Sequence, residues 1–258
     1  MVRPKKNLGQ HFLTDQSIAK RIADALEAKP GATVFEVGPG KGILTKYLLE
    51  KEFQLLPVEI DPESSAFLKE QWPELSEHLI EADFLKLDLI SLGGSTFHVI
   101  GNFPYNISSQ IFFRILEYRD RIPSVVCMIQ KEVADRIASP PGSRTYGILS
   151  VLLQAYYDIR FLFSVKPGSF YPPPKVTSGV IRLTRNRTET LACDEALFFR
   201  VVKTSFNQRR KMIRNSLKSI LVHLDSDFEL LSKRPEQLEV SDFVKLTNWV
   251  ESQLASHE

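Results

Sequence analysis

The chain has 258 residues, of which 43% are hydrophobic and 25% are charged, and its formal net charge is +2. This composition is typical of a folded globular protein and excludes a disordered or fibrous chain, and the length allows one large domain with a small second one. No run approaches the roughly 18 apolar residues of a membrane span, and no apolar signal region follows the basic N-terminus. We therefore expect a cytoplasmic protein that does not bind membranes.

Strands and helices alternate in the predicted order of elements. Helices are predicted over 17–28, over 43–51, from residue 62, over 131–137 and over 146–157, and buried strands over 33–37, 54–60, 78–81, 97–101 and 124–130. Such alternation implies βαβ crossovers, a parallel sheet and ligands at the carboxyl ends of the strands. Two further strands, at 158–165 and 177–183, flank a proline-rich loop and are predicted to extend the sheet edge as an antiparallel pair.

The last quarter of the chain differs in character. From Asp194 onward glycine is absent and helical periodicity dominates, so we predict an α/β domain over 1–185 and a helical domain over 186–258. Between Ala196 and Leu224 there are seven Lys/Arg residues and no Asp/Glu; these seven are Arg200, Lys203, Arg209, Arg210, Lys211, Arg214 and Lys218. They are predicted to share one helical segment. A run without acidic residues favours phosphate contact over the alternative of a plain solvated face.

Polar elements follow four of the predicted strands. They are the glycine loop 38–42, Glu59, Asp83 and Asn102. Because parallel strands carry their carboxyl ends to the same edge of a sheet, we expect these elements to lie close together. A glycine loop lets the backbone approach a ligand, and a carboxylate after the next strand can bind both hydroxyls of a ribose. The four elements therefore indicate an adenosine-containing ligand.

The glycine spacing narrows the choice of ligand. The loop reads Gly38-x-Gly40-x-Gly42, whereas the dinucleotide fingerprint is G-x-G-x-x-G. Glu36, just before the loop, would repel a pyrophosphate but would favour a sulfonium or an amino group. A nicotinamide-dependent oxidoreductase is therefore disfavoured, and a plain glycine turn is the alternative for the loop taken alone.

The stretch Asn102-Phe103-Pro104-Tyr105 directly follows the strand predicted over 97–101. The side-chain oxygen of Asn102 and a carbonyl fixed by Pro104 can both accept N–H bonds, while Tyr105 offers an aromatic face. Such a set suits a flat ring that carries an amine. Taken alone, the tetrapeptide is equally typical of a polar turn.

Several motifs resemble one family of RNA-modifying enzymes, the S-adenosylmethionine-dependent rRNA adenine N6,N6-dimethyltransferases of the bacterial small ribosomal subunit. Besides Glu59 and Asp83, the motifs are Gly9-Gln10-His11-Phe12-Leu13, Glu36-Val37-Gly38-Pro39-Gly40-Lys41-Gly42, Asn102-Phe103-Pro104-Tyr105, Phe170-Tyr171-Pro172-Pro173-Pro174-Lys175-Val176 and Phe206-Asn207-Gln208-Arg209-Arg210-Lys211. The resemblance runs from about Asn7 to Leu217. The family more often has Asn where His11 stands and Leu where Phe103 stands.

The resemblance implies a fold and a site. The fold would be a Rossmann-like class I methyltransferase sheet with a small all-α C-terminal domain. Cofactor residues would be His11 and Leu13 at the methionine and sugar, Gly38 beside them, Glu59 at the ribose, Asp83 at the adenine, and Asn102 between cofactor and target amine. Asn102 and Pro104 would polarise the amine, with Tyr105 and Phe170 stacking on the target base. Arg209, Arg210, Lys211 and Arg214 would contact RNA phosphates, and no metal is expected.

The implied activity is dimethylation of N6 on two adjacent adenosines near the 3′ end of 16S rRNA, within the small (30S) subunit or its precursor and during ribosome biogenesis. We expect the enzyme to be a monomer. Two other activities on the same fold are alternatives: a macrolide-resistance-type methyltransferase of 23S rRNA, and a noncatalytic RNA-binding assembly factor. Arg209-Arg210-Lys211 followed by Asn215-Ser216-Leu217 favours the small-subunit group, and an intact 102–105 motif favours catalysis.

Overall fold

The structure is a computed structural model that describes residues 2–5, 8–221 and 227–255. Its strands are β1 (Phe12–Leu13), β2 (Thr33–Val37), β3 (Gln54–Glu59), β4 (Ile80–Glu81), β5 (Phe97–Asn102), β6 (Ser124–Gln130), β7 (Tyr157–Val165), β8 (Phe170–Tyr171) and β9 (Ser178–Arg185). Seven of these strands form one sheet in the order β4-β3-β2-β5-β6-β9-β7, and β1 pairs with β8 in a separate antiparallel ladder.

The first five strands of the large sheet run parallel to one another. From β2 the chain proceeds outward to β3 and β4 on one side, and from β5 it proceeds to β6 on the other. The strand order therefore reverses between β2 and β5, which is where open α/β sheets bind their ligands. β9 runs antiparallel to β6, and β7 lies beside β9 at the edge. The predicted extension of the sheet by these two strands is confirmed.

The helices are α1 (Gln16–Asp24), α2 (Thr45–Leu49), α3 (Pro62–Gln71), α4 (Leu89–Gly93), α5 (Ser108–Glu117), α6 (Lys131–Ala138), α7 (Ile148–Gln154), α8 (Glu195–Asn207), α9 (Ile213–Ser216) and α10 (Val240–Ala255). Asp15 caps α1 by accepting N–H bonds from Ser17 and Ile18, and Asp61 caps α3 ahead of a first-turn proline. Two predicted helices were too long at their ends, since 17–28 stops at Asp24 and 146–157 is reduced to α7. None of the helices among the described residues is both long and apolar enough to cross a membrane.

The central strands β2, β5 and β6 are buried along nearly their whole length, as expected for a sheet covered by helices on both faces. α1 contributes Ala19, Ile22 and Ala23 to an apolar cluster that includes residues of β6. Close strand packing also depends on Gly101, because a Cβ there would lie 2.5 Å from the carbonyl oxygen of Val37. β2 and β5 therefore end side by side.

The chain forms two compact units, one comprising Met1–Ala134 and Asp158–Arg185 and the other Asp135–Tyr157 and Asn186–Glu258. The sequence placed 135–157 in the first domain. In the structure α7 packs against α8 and α10, so this segment joins the helical unit.

The prediction of one helical segment for the basic run was wrong. α8 ends at Asn207, and Gln208 leaves the helical conformation at φ −120° and ψ 49°. Ile213 and Leu217 are completely buried, and the Ile213 N–H donates to the carbonyl of Lys233. Burial of these apolar side chains draws the chain into a turn, the short helix α9 and a 3-10 turn over Leu217–Ser219, so the cations are divided among four local elements.

Candidate active site

A cavity of about 290 Å³ opens at the carboxyl edge of the parallel strands. Its lining includes all four polar elements that the sequence placed at strand ends: the glycine loop through Gly38, then Glu59, Asp83 and Asn102. They converge because β4, β3, β2 and β5 are parallel neighbours. The cavity thus lies where the strand order reverses.

The glycine loop is bound to the sheet through its backbone. Gly38 and Gly40 have φ values of +67° and +57°, a left-handed conformation that favours glycine. The Gly38 N–H donates to the carbonyl of Val58 at 2.9 Å. At Gly40 a Cβ would approach the ring of Phe12 to 2.8 Å, so the close packing of β1 on the loop also requires glycine.

Glu59 ends β3 with its side chain nearly buried, at 4% exposure. One carboxylate oxygen accepts the N–H of Gly40 and the other accepts the N–H of Asp61, both at 2.9 Å. Burial raises the pKa of this carboxyl above its usual value, and the backbone bonds oppose that rise. Because a carboxylate offers about four acceptor sites, each oxygen keeps acceptor capacity for a hydroxyl in the cavity.

Asp83 follows β4 and occupies the adjoining part of the wall. Its Oδ1 accepts the N–H of Leu85 at 3.0 Å, and Lys86 Nζ lies 3.9 Å from Oδ2. The short backbone bond fixes the direction of the carboxylate more firmly than the distant lysine does.

The side chain of Asn102 is oriented by the N-terminal segment. Its Nδ2 donates to the carbonyl of His11 at 3.0 Å, so Oδ1 is left as the acceptor end of the amide. His11 thus acts here through its backbone. The imidazole donates from Nδ1 to the carbonyl of Pro172 at 2.9 Å, because a carbonyl can only accept.

The two residues after Asn102 fix the backbone. The Phe103 N–H donates to Met128 O at 3.0 Å, and the Phe103 side chain is buried at 1% exposure. The Pro104 carbonyl accepts the N–H of Ile107 at 3.2 Å, in the turn that leads into α5. The Pro104 carbonyl is therefore already engaged in one hydrogen bond.

Tyr105 lines the cavity with its hydroxyl tied to β9. The Tyr105 hydroxyl and Ser178 Oγ are 2.5 Å apart, and the phenol ring lies 5.6 Å from the His11 ring at an angle of 30°. Burial raises the pKa of Tyr105 above its usual value, so the phenol stays neutral. The tether and the neighbouring ring restrict its rotation.

Leu13 and Phe170 do not line this cavity. They are partners in the β1–β8 ladder, and both side chains belong to the apolar core at 5% and 4% exposure. Successive strand residues point to opposite faces, and Tyr171, the next residue, is 61% exposed. Leu13 instead lines a separate small cavity together with Glu36 and Asn102.

Glu36 is an acidic group of the site with only 1% exposure. Its Oε2 accepts the hydroxyl hydrogen of Thr45 at 2.7 Å. Burial raises the pKa of Glu36 to about 8, so the carboxyl is mainly protonated at neutral pH. We expected from the sequence that a negatively charged Glu36 would repel a pyrophosphate. In this structure Glu36 would carry that charge only beside a cationic ligand or at higher pH.

Comparison with known proteins decides the family. A family model described as ribosomal RNA adenine dimethylase matches residues 1–250. The chain belongs to the ribosomal RNA adenine dimethylase family. It is 56% identical to the ribosomal RNA small subunit methyltransferase A of Bacteroides thetaiotaomicron over 258 residues, covering 98% of this chain and 96% of the relative. The corresponding protein of Flavobacterium johnsoniae is 53% identical over 254 residues, with 97% of each chain covered.

Two solved structures support the fold. A dimethyladenosine transferase from Plasmodium falciparum superposes with a TM-score of 0.79 at 23% identity, covering 94% of this chain and 98% of that one. The 23S rRNA methyltransferase ErmE gives a TM-score of 0.68 at 28% identity, covering 92% and 99%. The predicted class I methyltransferase fold and the predicted family are confirmed.

The basic residues of this dimethylase-family chain lie in the helical unit and differ in their surroundings. Arg210, Lys211 and Arg214 are exposed. Arg209 is partly buried, and its Nη2 donates to the carbonyls of Ser143 and Arg144. Three of the four predicted RNA-binding cations are therefore solvated, and the fourth, Arg209, also binds the loop that contains Ser143 and Arg144.

Four further residues of the site were not identified from the sequence. Ser178 holds the Tyr105 hydroxyl, and Lys5, Gln10 and Asp61 form a polar cluster that contacts Glu59 through the Asp61 N–H. Asp61 had a detectable signal, since it stands two residues after Glu59 and directly before a first-turn proline. Among the described residues no group of His, Cys, Asp and Glu side chains is arranged to hold a metal ion.

Proposed function

We propose that this protein dimethylates N6 of two adjacent adenosines near the 3′ end of 16S rRNA in the small ribosomal subunit, with S-adenosylmethionine as the methyl donor. The observation that carries the proposal is the Asn102 amide, which the His11 carbonyl holds at the cavity with Oδ1 as its acceptor end. The relatives named small subunit methyltransferase A favour this RNA. Action on the 30S subunit or its precursor, as a cytoplasmic monomer, is part of the proposal.

The donors and acceptors of the cavity fit the cofactor. Glu59 would take the ribose hydroxyls, Asp83 the adenine amino group, and Gly38 would border the ligand through its backbone. The backbone of His11 would lie at the methionine and sugar, and Leu13 would approach this part of the ligand only from the small cavity that it lines with Glu36 and Asn102. Bound S-adenosylmethionine supplies an electrophilic methyl group on a sulfonium. Glu36 is mainly protonated because burial raises its pKa. A positive charge nearby would lower that pKa and favour the carboxylate form.

The chain's own contribution to transfer is to position and polarise the adenine amine. The N6 lone pair is delocalised into the ring, so a pyramidal amine must be favoured. Asn102 Oδ1 and the Phe103 carbonyl would accept the two N–H bonds, and these bonds strengthen as the nitrogen gains positive charge. The Pro104 carbonyl already accepts the N–H of Ile107, so we assign Pro104 the role of fixing the preceding carbonyl.

No general base is needed, because the methylated amine becomes acidic once it is positively charged and releases its proton to water. Tyr105 would stack on the adenine, which must be unpaired or flipped out to reach the cavity. Its hydroxyl bond to Ser178 keeps the ring in place for this purpose. Stacking by Phe170 stays a prediction, since that side chain is 4% exposed and packs with the core.

Phosphate contacts would come from the helical unit. Arg210, Lys211 and Arg214 are exposed cations suited to the RNA backbone. Arg209 would contribute as well, although its guanidinium is partly engaged by the carbonyls of Ser143 and Arg144. Such contacts position the RNA but do not read its sequence.

The experiment is incubation with methyl-labelled S-adenosylmethionine and unmethylated small or large ribosomal subunits, followed by mapping of labelled adenines. We expect dimethyladenosine at two adjacent positions near the 3′ end of 16S rRNA. Label confined to 23S rRNA would instead support the macrolide-resistance type of activity. Tight RNA binding without label on either RNA would leave a noncatalytic assembly factor.

A further inference from the structure

Asp61 is an acidic side chain with no solvent exposure. Lys5 Nζ lies 2.5 Å from its Oδ1, and Gln10 Nε2 donates to its Oδ2 at 3.2 Å. The Glu63 N–H and the Ser64 hydroxyl complete its shell. Burial opposes ionisation, but these hydrogen bonds hold the pKa of Asp61 below its usual value. A buried carboxylate of this kind depends on its cationic partner.

That partner comes from the N-terminal strap, which we define as residues 2–5 and 8–11. Val2 is buried at 6% exposure, and the Lys5 N–H donates to Gln10 Oε1 at 2.8 Å. The Leu8 N–H donates to the Lys5 carbonyl at 3.2 Å. Residues 8–11 all line the 290 Å³ cavity. The strap is therefore one wall of the proposed cofactor site.

Asp61 also contacts Glu59, another residue that lines the cavity. Its N–H donates to Glu59 Oε1 at 2.9 Å, and Glu59 is the carboxylate proposed to bind ribose. One residue thus holds the strap through its side chain and orients Glu59 through its backbone. Separation of Lys5 from Asp61 would open the strap wall and leave a buried charge next to Glu59.

We propose that the Lys5–Asp61 ion pair is a latch that holds the strap over the cofactor cavity, and that both residues are positioning residues for cofactor binding. The identity of the cofactor rests on the proposed function. Because the cofactor binds to the closed strap, its apparent dissociation constant rises as the closed fraction falls. The latch acts on cofactor affinity and not on the transfer step.

The main test is Lys5→Met, which keeps much of the side-chain length but removes the charge. Calorimetric titration with S-adenosylmethionine is expected to give a Kd about tenfold above wild type, whereas kcat at saturating cofactor and RNA stays within about twofold. Lys5→Arg keeps the charge and should recover most of the affinity. Lys69→Met is the matched control, because Lys69 pairs with Glu81 at the same 2.5 Å distance but at an exposed position.

A second variant guards against a purely structural effect. Asp61→Asn keeps an acceptor for the helix cap but removes the charge, so it should also raise the Kd. In the double variant with Lys5→Met the two effects should be far from additive, because both remove the Lys5–Asp61 pair. Lys5→Met also removes the pair with Glu63, whose carboxylate lies 3.1 Å from Lys5 Nζ but is 54% exposed and therefore contributes little. An unchanged Kd in Lys5→Met, an equal rise in Lys69→Met, or additive effects in the double variant would overturn the latch.

These outcomes are separable from failure of the proposed function. If wild-type protein binds the cofactor and Lys5→Met weakens binding, the latch stands even when no RNA is methylated. If wild-type protein methylates RNA and Lys5→Met binds the cofactor normally, the latch is wrong and the function stands. Wild-type protein that fails to bind S-adenosylmethionine would contradict both.

Discussion

Glu59 and Arg210 are both charged side chains assigned to binding, but their surroundings differ. Glu59 is 4% exposed and accepts two backbone N–H groups, one from the glycine loop and one from Asp61. Arg210 is exposed in the turn between α8 and α9. The Glu59 carboxylate is therefore held by backbone hydrogen bonds before a ligand arrives, whereas Arg210 presents its charge to solvent.

The difference predicts how each region responds to single substitutions. A preorganised group acts through a few well-directed hydrogen bonds. Its substitution should therefore cause a large loss of the one activity that those bonds support. Solvated cations act through summed charge, so each should contribute a small share that salt can screen.

The largest effect is expected for Asn102→Ala. It removes the directed acceptor at the cavity and should lower kcat/KM by about 10²- to 10³-fold, as loss of a transition-state hydrogen-bond partner does. Cofactor affinity should change far less, which a binding titration checks. Asn248→Ala is the control, since Asn248 makes a similar amide-to-carbonyl bond to Ala192 at 2.9 Å at an exposed position. Equal turnover in both variants would remove Asn102 from the mechanism.

Glu36→Gln should change the pH dependence of stability. The folded-state pKa of Glu36 is raised to about 8 by burial, so the folded protein holds this proton more tightly than the unfolded chain. The wild type's free energy of unfolding should therefore fall as pH rises from about 5 to about 8. Gln keeps the bond from Thr45 but cannot ionise, so denaturation midpoints should show a flatter profile. The gain over wild type at pH 8 should be on the order of a few kcal/mol, and identical profiles would refute this account of Glu36.

Two variants of Tyr105 distinguish stacking of its ring on the adenine from the hydrogen bond of its hydroxyl to Ser178. Tyr105→Ala removes the ring and should weaken RNA-dependent turnover by about 10- to 100-fold, the range for one lost base stack. Tyr105→Phe keeps the ring but loses the bond to Ser178, so the loss should be only several-fold. Comparable kcat/KM values for the two variants would mean that the hydroxyl, not the ring, carries the role.

The smallest effects belong to the basic turn. Arg210→Ala should leave the unfolding midpoint unchanged and lower the slope of log affinity against log salt by about 1. Arg209→Ala should also destabilise the protein by about 1 kcal/mol, because its guanidinium holds the carbonyls of Ser143 and Arg144. Lys245→Ala is the control at 68% exposure on α10. If the Arg210 variant has the same slope of log affinity against log salt as this control, Arg210 does not contact RNA phosphates and the turn is an ordinary solvated surface.

The sheet edge could be predicted from the sequence because strand order and parallel direction determine what meets there. Glu59 ends β3, Asn102 ends β5 and Asp83 follows β4, and neighbouring parallel strands bring their ends together whatever lies between them in sequence. The limits of β2 and β6 were predicted without error for the same reason, since both are buried runs bounded by turns.

Other features depend on contacts that one-dimensional patterns do not contain. The direction of Phe170 is set by its pairing with Leu13 in a two-residue ladder. The basic run bends because Ile213 and Leu217 are drawn into the core of the helical unit. Lys5 binds Asp61, which lies 56 residues away in sequence. The sequence around a lysine in a basic N-terminus does not indicate which acidic residue it will pair with.

Four strand ends are proposed to form one adenosine-cofactor site, which the N-terminal strap closes. A crystal structure with S-adenosylhomocysteine tests it most directly. We expect the ribose hydroxyls within about 3.2 Å of the Glu59 carboxylate, the adenine amine at Asp83, and Lys5 in place on Asp61. A ligand bound elsewhere, such as the groove beside His78 at the other end of β2 and β3, or a ribose that does not contact Glu59, would contradict it.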